Sequence, residues 1–172
     1  MIRFYSFSEK WHYYFEREKR ILSDCLCDQK FIDIEHIGAT SVVLCNTCGT
    51  IDLLLSIQSA LDFFTIKNVL VIRGYSFIKE KSNSNMFFFI RRDDKKRIVA
   101  TIRLVEMASV EYNKITIFKC YLKEKNEHAI KYNQFRQTLA VKVNQDYAKY
   151  EKGKAAYIES ILESYCTPEE KE

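Results

Sequence analysis

Proline and glycine are scarce in this chain, with one and four respectively among 172 residues, and long apolar runs are missing altogether. So few breakers exclude a collagen-like or linker-like composition. Without a run of about 18 apolar residues there is no candidate membrane-spanning helix. The first residues also lack the apolar core of a signal peptide, so no membrane partner and a cytoplasmic address are expected. A long basic helix is missing too. The net charge of +4 comes from 27 basic and 23 acidic residues that are well mixed. The densest basic stretch, residues 91–97, carries its own aspartates and suits a solvated hairpin better than a nucleic-acid patch, so nucleic acid is not an expected partner.

What is present is ample core material: 47% of residues are hydrophobic and 14% aromatic. A chain of this size forms one domain with a sizeable core and needs no disulfide or metal scaffold. The expected organisation is a single domain over residues 1–165 and a charged C-terminal tail over 166–172. Without a secretion signal, the six cysteines read as reduced thiols. Cys25, Cys27, Cys45 and Cys48 could supply four zinc thiolates, but the first pair has C-x-C spacing at a helix end, not that of a zinc knuckle.

Periodicity places a helix over residues 8–24, with Ser8 as its cap and Trp11, Tyr14, Phe15, Glu18, Ile21 and Leu22 at helical spacing. Residues 31–38 alternate apolar and polar like a strand. Residues 51–57 are almost wholly apolar, like a central strand covered on both faces. A helix over 59–73, with Leu61, Phe64, Val69 and Ile72 at compatible spacing, ends at Gly74. Strands over 75–80, 86–92 and 97–105 follow with short polar connections that suit an antiparallel meander. From residue 109 the pattern is helical, with further helices near 129–143 and 146–165. This order predicts an α+β fold with a mixed sheet.

The chemistry concentrates in one stretch. Ile34-Glu35-His36-Ile37 runs into Gly38-Ala39-Thr40-Ser41, and the next strand carries Asp52 in Ile51-Asp52-Leu53-Leu54-Leu55. Small residues at such a turn let backbone N–H groups and hydroxyls approach a phosphate closely. The acid on the next strand is placed to hold Mg²⁺ against those phosphates. That is the layout of a nucleotidyltransferase-like site, except that Leu54 stands where a second carboxylate would share the face of Asp52.

With these elements in order, the chain resembles the GrpB-like proteins of the nucleotidyltransferase-like superfamily. Their strand motif I-E-H-I-G-S-T-[AS]-V-P-G-L is matched by residues 34–45, and K-P-I-I-D-[IL] by residues 48–53, with no gap between. Gly74-Tyr75, Phe118 to Lys123, and the helical positions Tyr132, Arg136, Leu139, Ala140, Tyr150, Lys154, Tyr157 and Ile158 extend the likeness over residues 11–158. It implies a mixed sheet of about five strands, flanking helices and a C-terminal helical half. It also implies Mg²⁺-dependent nucleotide chemistry. The departures fall at the site: Ala39 replaces a serine, Cys48-Gly49 replaces K-P, and Thr101-Ile102-Arg103 replaces H-L-H.

Asp52 is therefore the expected catalytic and metal-binding residue, with Glu35 and Glu106 as further candidate metal ligands. Gly38, Ala39, Thr40, Ser41, His36, Arg103, Arg136 and Lys154 are the candidate phosphate and ligand contacts. Glu35 and His36 are consecutive on a strand and cannot face the same way, and His36 could equally be a histidine hydrogen-bonded into the core. Arg103 could grip a phosphate or pair with Asp52 or Glu106. Spacing alone makes Arg136 and Lys154 look more like a solvated face. Two functions follow: Mg²⁺-assisted binding or transfer of a nucleotide or phosphorylated small molecule, or a catalytically degenerate binding or interaction module on the same fold.

Overall fold

The apolar run 51–57 becomes an inner strand of a five-stranded sheet. In this computed structural model, which describes residues 2–27 and 31–166, the strands are β1 (Phe31–Ile37), β2 (Ile51–Ile57), β3 (Tyr75–Phe77), β4 (Met86–Arg92) and β5 (Ile98–Glu106). Their spatial order is β1-β2-β5-β4-β3. The expected antiparallel meander is present in β3, β4 and β5. Its last strand comes back to pair in parallel with β2, and β1 closes the other edge antiparallel to β2. Five helices, α1 (Lys10–Cys25), α2 (Phe63–Ile72), α3 (Val110–Glu124), α4 (Asn126–Lys142) and α5 (Tyr147–Cys166), complete an α+β fold with a helical C-terminal half. No described helix is long and apolar enough to cross a membrane.

Strand alternation gives the sheet two unlike faces. Ile51, Leu53, Leu55 and Ile57 of β2 join Ala100, Ile102 and Leu104 of β5 and Phe89 of β4. All are buried against Phe15 and Leu22 of α1 and Phe63, Ile66 and Leu70 of α2. Each such side chain contributes about 1.5–3 kcal/mol on leaving water. The opposite face carries Asp52 and Leu54 of β2, with Thr101, Arg103 and Val105 in register beside them on β5. There Leu54 packs with Ile37 and Val105 beneath Tyr112 and Ile115 of α3. The loop after β1 ties the halves together, because Val42 and Cys45 are buried among Leu122, Ala129 and Tyr132 of the helices.

The apolar positions of α2 differ from expectation. Leu61, Phe64 and Ile72 are 88%, 71% and 81% exposed, and the buried residues are Phe63, Ile66 and Leu70. The segment FFTIKNVLVI is apolar on nearly every side, so spacing admits more than one inward face and the sheet selects among them. Its start is also displaced: the Ser59 hydroxyl accepts from the Leu61 N–H, as a cap should, but the turn it opens is a 3₁₀ turn over Ala60–Asp62. Strand β3 stops at Phe77, short of the expected residue 80, where the chain enters a 3₁₀ turn over Lys79–Lys81.

Across the main core, the Tyr75 hydroxyl donates to Glu18 Oε1 at 2.7 Å and Arg91 Nη2 reaches Oε2 at 2.6 Å. This network joins α1, β3 and β4 and satisfies a carboxylate that stands in the apolar stripe of α1. The run 91–97 is otherwise the expected exposed hairpin, with Asp93 accepting from the Lys95 and Arg97 N–H groups and pairing with the Arg97 guanidinium.

Candidate functional site

The turn after β1 is built by its own polar groups. Gly38 adopts φ 70° and ψ −171°, and residues Ala39–Ser41 form a 3₁₀ turn. The Ser41 hydroxyl donates to the Gly38 carbonyl at 2.8 Å, and the buried Thr40 hydroxyl lies 2.9 Å from His36 Nε2. Both hydroxyls expected to meet a phosphate are thus engaged in shaping the turn. The first N–H groups of a helical turn have no intrahelical partner, so the backbone is what the turn presents to an anion.

Asp52 stands directly across from this turn, since Ile37 is its partner on β1. A Cβ added at Gly38 would lie 2.4 Å from Asp52 Oδ2, so only glycine lets the two approach this closely. On the other side, the Thr101 hydroxyl of β5 donates to Asp52 Oδ1 at 2.5 Å. The half-buried carboxylate is therefore oriented by two neighbouring strands.

The other candidate acids are not brought to it. Glu35 lies on the face of Asp52 but opposite Leu54, and it is paired with Lys119 of α3 at 2.8 Å. Glu106 is opposite Ile57 at the far end of the parallel pair, five residues beyond Thr101, or about 17 Å along the strand. Leu54 is fully buried at the position a second acid would need. Among the described residues no group of three or more His, Cys, Asp and Glu side chains converges as a metal cage, whether at Asp52 or among the cysteines. The candidate metal ligands Asp52, Glu35 and Glu106 are thus spread along the sheet by its register.

His36 points to the other face, where it stacks on Phe15 of α1 with ring centroids 4.5 Å apart. Burial, followed by the positive charges of His12, Lys119 and Lys123, pushes its pKa down to about 4. The half-buried ring thus lies on the face away from Asp52, and Glu35 is the neighbour that shares a face with Asp52.

Arg103 does share that face. It is in register with Leu54 and Phe88, its guanidinium carbon 5.7 Å from the Phe88 ring centre, and neither Asp52 nor Glu106 forms an ion pair with it. Lys81 also covers the Phe88 ring, at 5.2 Å, and reaches across to α5, lying 5.7 Å from the Tyr147 ring and 3.8 Å from Glu151. Lys154 is paired with Glu151 at 2.5 Å. Through Lys81 the turn after β3 thus joins Phe88, beside Arg103 on the sheet, to Tyr147 and Glu151 of α5. Thr101, Lys81, Tyr147 and Glu151 went unrecognised as site neighbours. For Thr101 the signal was present in its two-residue spacing from Arg103 on one strand.

Arg136 is 4% exposed and not part of a solvated face. It donates to the Asn46 carbonyl and to Asn133 Oδ1, while Asn133 accepts from the Asn46 N–H at 2.9 Å. Arg136 therefore holds the loop that leads into β2. It lies 4.7 Å from the Tyr132 ring centre. Burial raises the Tyr132 hydroxyl pKa, the Arg136 charge opposes the rise, and Asp52 is among the anions that add to it. Two open hollows, of about 380 and 300 Å³, border α1, the second running round the edge of β1 to Lys119 and Lys123 of α3, and neither includes Asp52.

Comparison with known proteins agrees with this architecture. The family model described as GrpB protein matches residues 1–164. No curated protein matches the chain. The crystal structure of the conserved protein GrpB from Enterococcus faecalis superposes with a TM-score of 0.80 at 21% identity, covering 94% of this chain and 96% of that one. A mutant of the Cid1 poly(U) polymerase bound to MgATP superposes with a TM-score of 0.52 at 12% identity, covering 78% of this chain and 45% of that one. A cytoplasmic RNA terminal U-transferase matches equally, at 0.52 and 12%, with 78% and 42% covered. At these identities the structural likenesses establish the fold alone, and with the family match they lead to one statement: the chain belongs to the GrpB family and has a nucleotidyltransferase-like fold.

Proposed function

We propose that this protein binds a nucleotide or another phosphorylated small molecule between the Asp52 face of the sheet and the helical half, with one Mg²⁺ between Asp52 and the ligand's phosphates. The observation that carries this reading is the contact of Gly38 with Asp52, where a Cβ would come to 2.4 Å from Oδ2. A turn suited to phosphate and a carboxylate suited to a metal are held against each other, as a phosphate–metal bridge requires. Asp52 keeps Oδ2 for the ion while Thr101 occupies Oδ1. The backbone of Gly38, Ala39 and Thr40 would receive the phosphates. Arg103 would meet their remaining charge from β5, and Lys154 from α5. Mg²⁺ accepts a single protein carboxylate when phosphate oxygens and water complete its shell, and it would neutralise phosphate charge there.

The residues fit one such ion and not two. Two-metal chemistry requires carboxylates that serve ions about 4 Å apart, and Leu54, Glu35 and Glu106 do not provide them. Leu54 thereby favours the second reading, in which the fold serves as a binding module without nucleotidyl transfer. Calorimetric titration with ATP and UTP, with and without Mg²⁺, tests the proposal. Mg²⁺-dependent binding should weaken at least about tenfold in Asp52→Asn. Binding that ignores both the ion and that substitution would sink it. Asp52-dependent formation of a nucleotidylated product would overturn the restriction to binding.

A further inference from the structure

On the opposite side of β2 from Asp52, α1 and the ends of β2, β4 and β5 enclose the hollow of about 380 Å³. Its volume lies within the range of small-ligand pockets. Its walls combine two chemistries. Trp11, Tyr14 and Ile51 supply flat and apolar surface, and Arg17, Arg91 and Arg97 supply three guanidiniums. The lining has one carboxylate, Glu18, and both its oxygens are already taken by Tyr75 and Arg91. Arg97 is held by Asp93 but remains exposed, and Arg17 is exposed on the outer surface of α1. Two donors in the wall, Trp11 Nε1 and Arg91 Nε, are buried and have no hydrogen-bond partner among the described residues. A buried donor without an acceptor costs about 1–3 kcal/mol, so this wall is short of acceptors; Glu18 balances Arg91 and Asp93 balances Arg97, which leaves the charge of Arg17 to attract an anion.

We infer that this hollow is a second binding site, for a small organic anion that joins a carboxylate or phosphate to a flat ring, directly or through a sugar. The oxyanion would lie among Arg17, Arg91 and Arg97, since guanidinium groups match carboxylate and phosphate oxygens in pairs. The ring would lie on Trp11 and Tyr14. The site shares no residue with the proposed Asp52 cleft and does not depend on it.

Trp11 is the chain's single tryptophan, so its fluorescence reports this hollow directly. The full chain should be titrated with AMP, benzoate and inorganic phosphate. A saturable change is expected with AMP or benzoate. Arg17→Glu, on an exposed helical position, should weaken that binding at least about tenfold. Arg97→Gln should weaken it in the same direction, and Asp52→Asn should leave it unchanged. If neither ring-bearing anion saturates, or if both arginine variants bind as the wild type does, the site is overturned. Inorganic phosphate binding as tightly as AMP would overturn the flat-ring requirement. Loss of the signal in Asp52→Asn would assign it to the cleft and overturn the inference as well.

Discussion

Strand β2 faces two neighbours of different character. On one side Ile51, Leu53, Leu55 and Ile57 enter an unbroken apolar core under α1 and α2. On the other, Asp52 lies half-buried among polar groups, and Leu54, one step along the same face, is sealed beneath α3. The first side is uniform, and any apolar residue of suitable size could serve there. The second changes from polar to apolar within two residues because α3 covers one position and leaves the other beside the turn at Gly38. The leucine at position 54 is thus bound up with the packing of a helix, and placing an acid there would take more than one substitution.

The largest effects should come from the two leucines. Leu55→Ala should cost about 2–5 kcal/mol in urea unfolding, through lost burial and a residual cavity. Leu54→Asp should cost at least as much, because the carboxylate would be desolvated under Tyr112 and Ile115. A Leu54→Asp protein with the wild-type midpoint would break the comparison by showing that α3 does not seal that position. Gly38→Ala comes next. Its φ of 70° with ψ −171° lies in a region nearly exclusive to glycine, and the new methyl would meet Asp52. A loss of about 1–3 kcal/mol is expected, with weakened Mg²⁺-dependent nucleotide binding, whereas unchanged binding would separate the turn from the site.

A smaller effect follows pH. His36 titrates near 4 in the folded protein and near 6.5 when unfolded, so the unfolded chain binds more protons between those values. Stability is fully present above about pH 6.5 and declines as pH falls toward 4, by on the order of 1–2 kcal/mol once partial exposure is allowed for. His36→Gln should flatten that part of the stability–pH profile, and an unaltered profile would assign the slope to other groups. The smallest change should be Phe64→Ser, within about 0.5 kcal/mol because the ring is exposed, in contrast to its neighbour Phe63 in the core. A large loss there would show that α2 buries a second face.

Much of this arrangement can be read without coordinates, and the parts that cannot have physical reasons. Strands β2 and β4 stand out because apolar runs bounded by turn residues have few alternative structures. The Gly38 and Asp52 pairing is legible through the family motif. The inward face of α2 is not, since an apolar segment gives no contrast from which to choose. Alternation shows that Glu35 and His36 diverge, but which of them faces Asp52 depends on strand register. The hydrogen bond from Thr101 to Asp52 and the Glu18–Tyr75–Arg91 network link distant segments, which local patterns do not specify. The polar Glu18 within an apolar stripe was the one sign that such a network existed.

The parallel pairing of β2 with β5 has a kinetic consequence. Thr101 and Asp52 are 49 residues apart in sequence, and everything between them must be looped out before they meet. Closing such a loop costs about 3.5 kcal/mol in chain entropy, beyond a constant term, before any contact repays it. The hairpin of β3 and β4 and the helix pairs involve shorter separations and can form earlier. The hydrogen bond from Thr101 that fixes Asp52 Oδ1 is therefore expected to form after the local pairing of β1 with β2, which already brings Asp52 against Gly38.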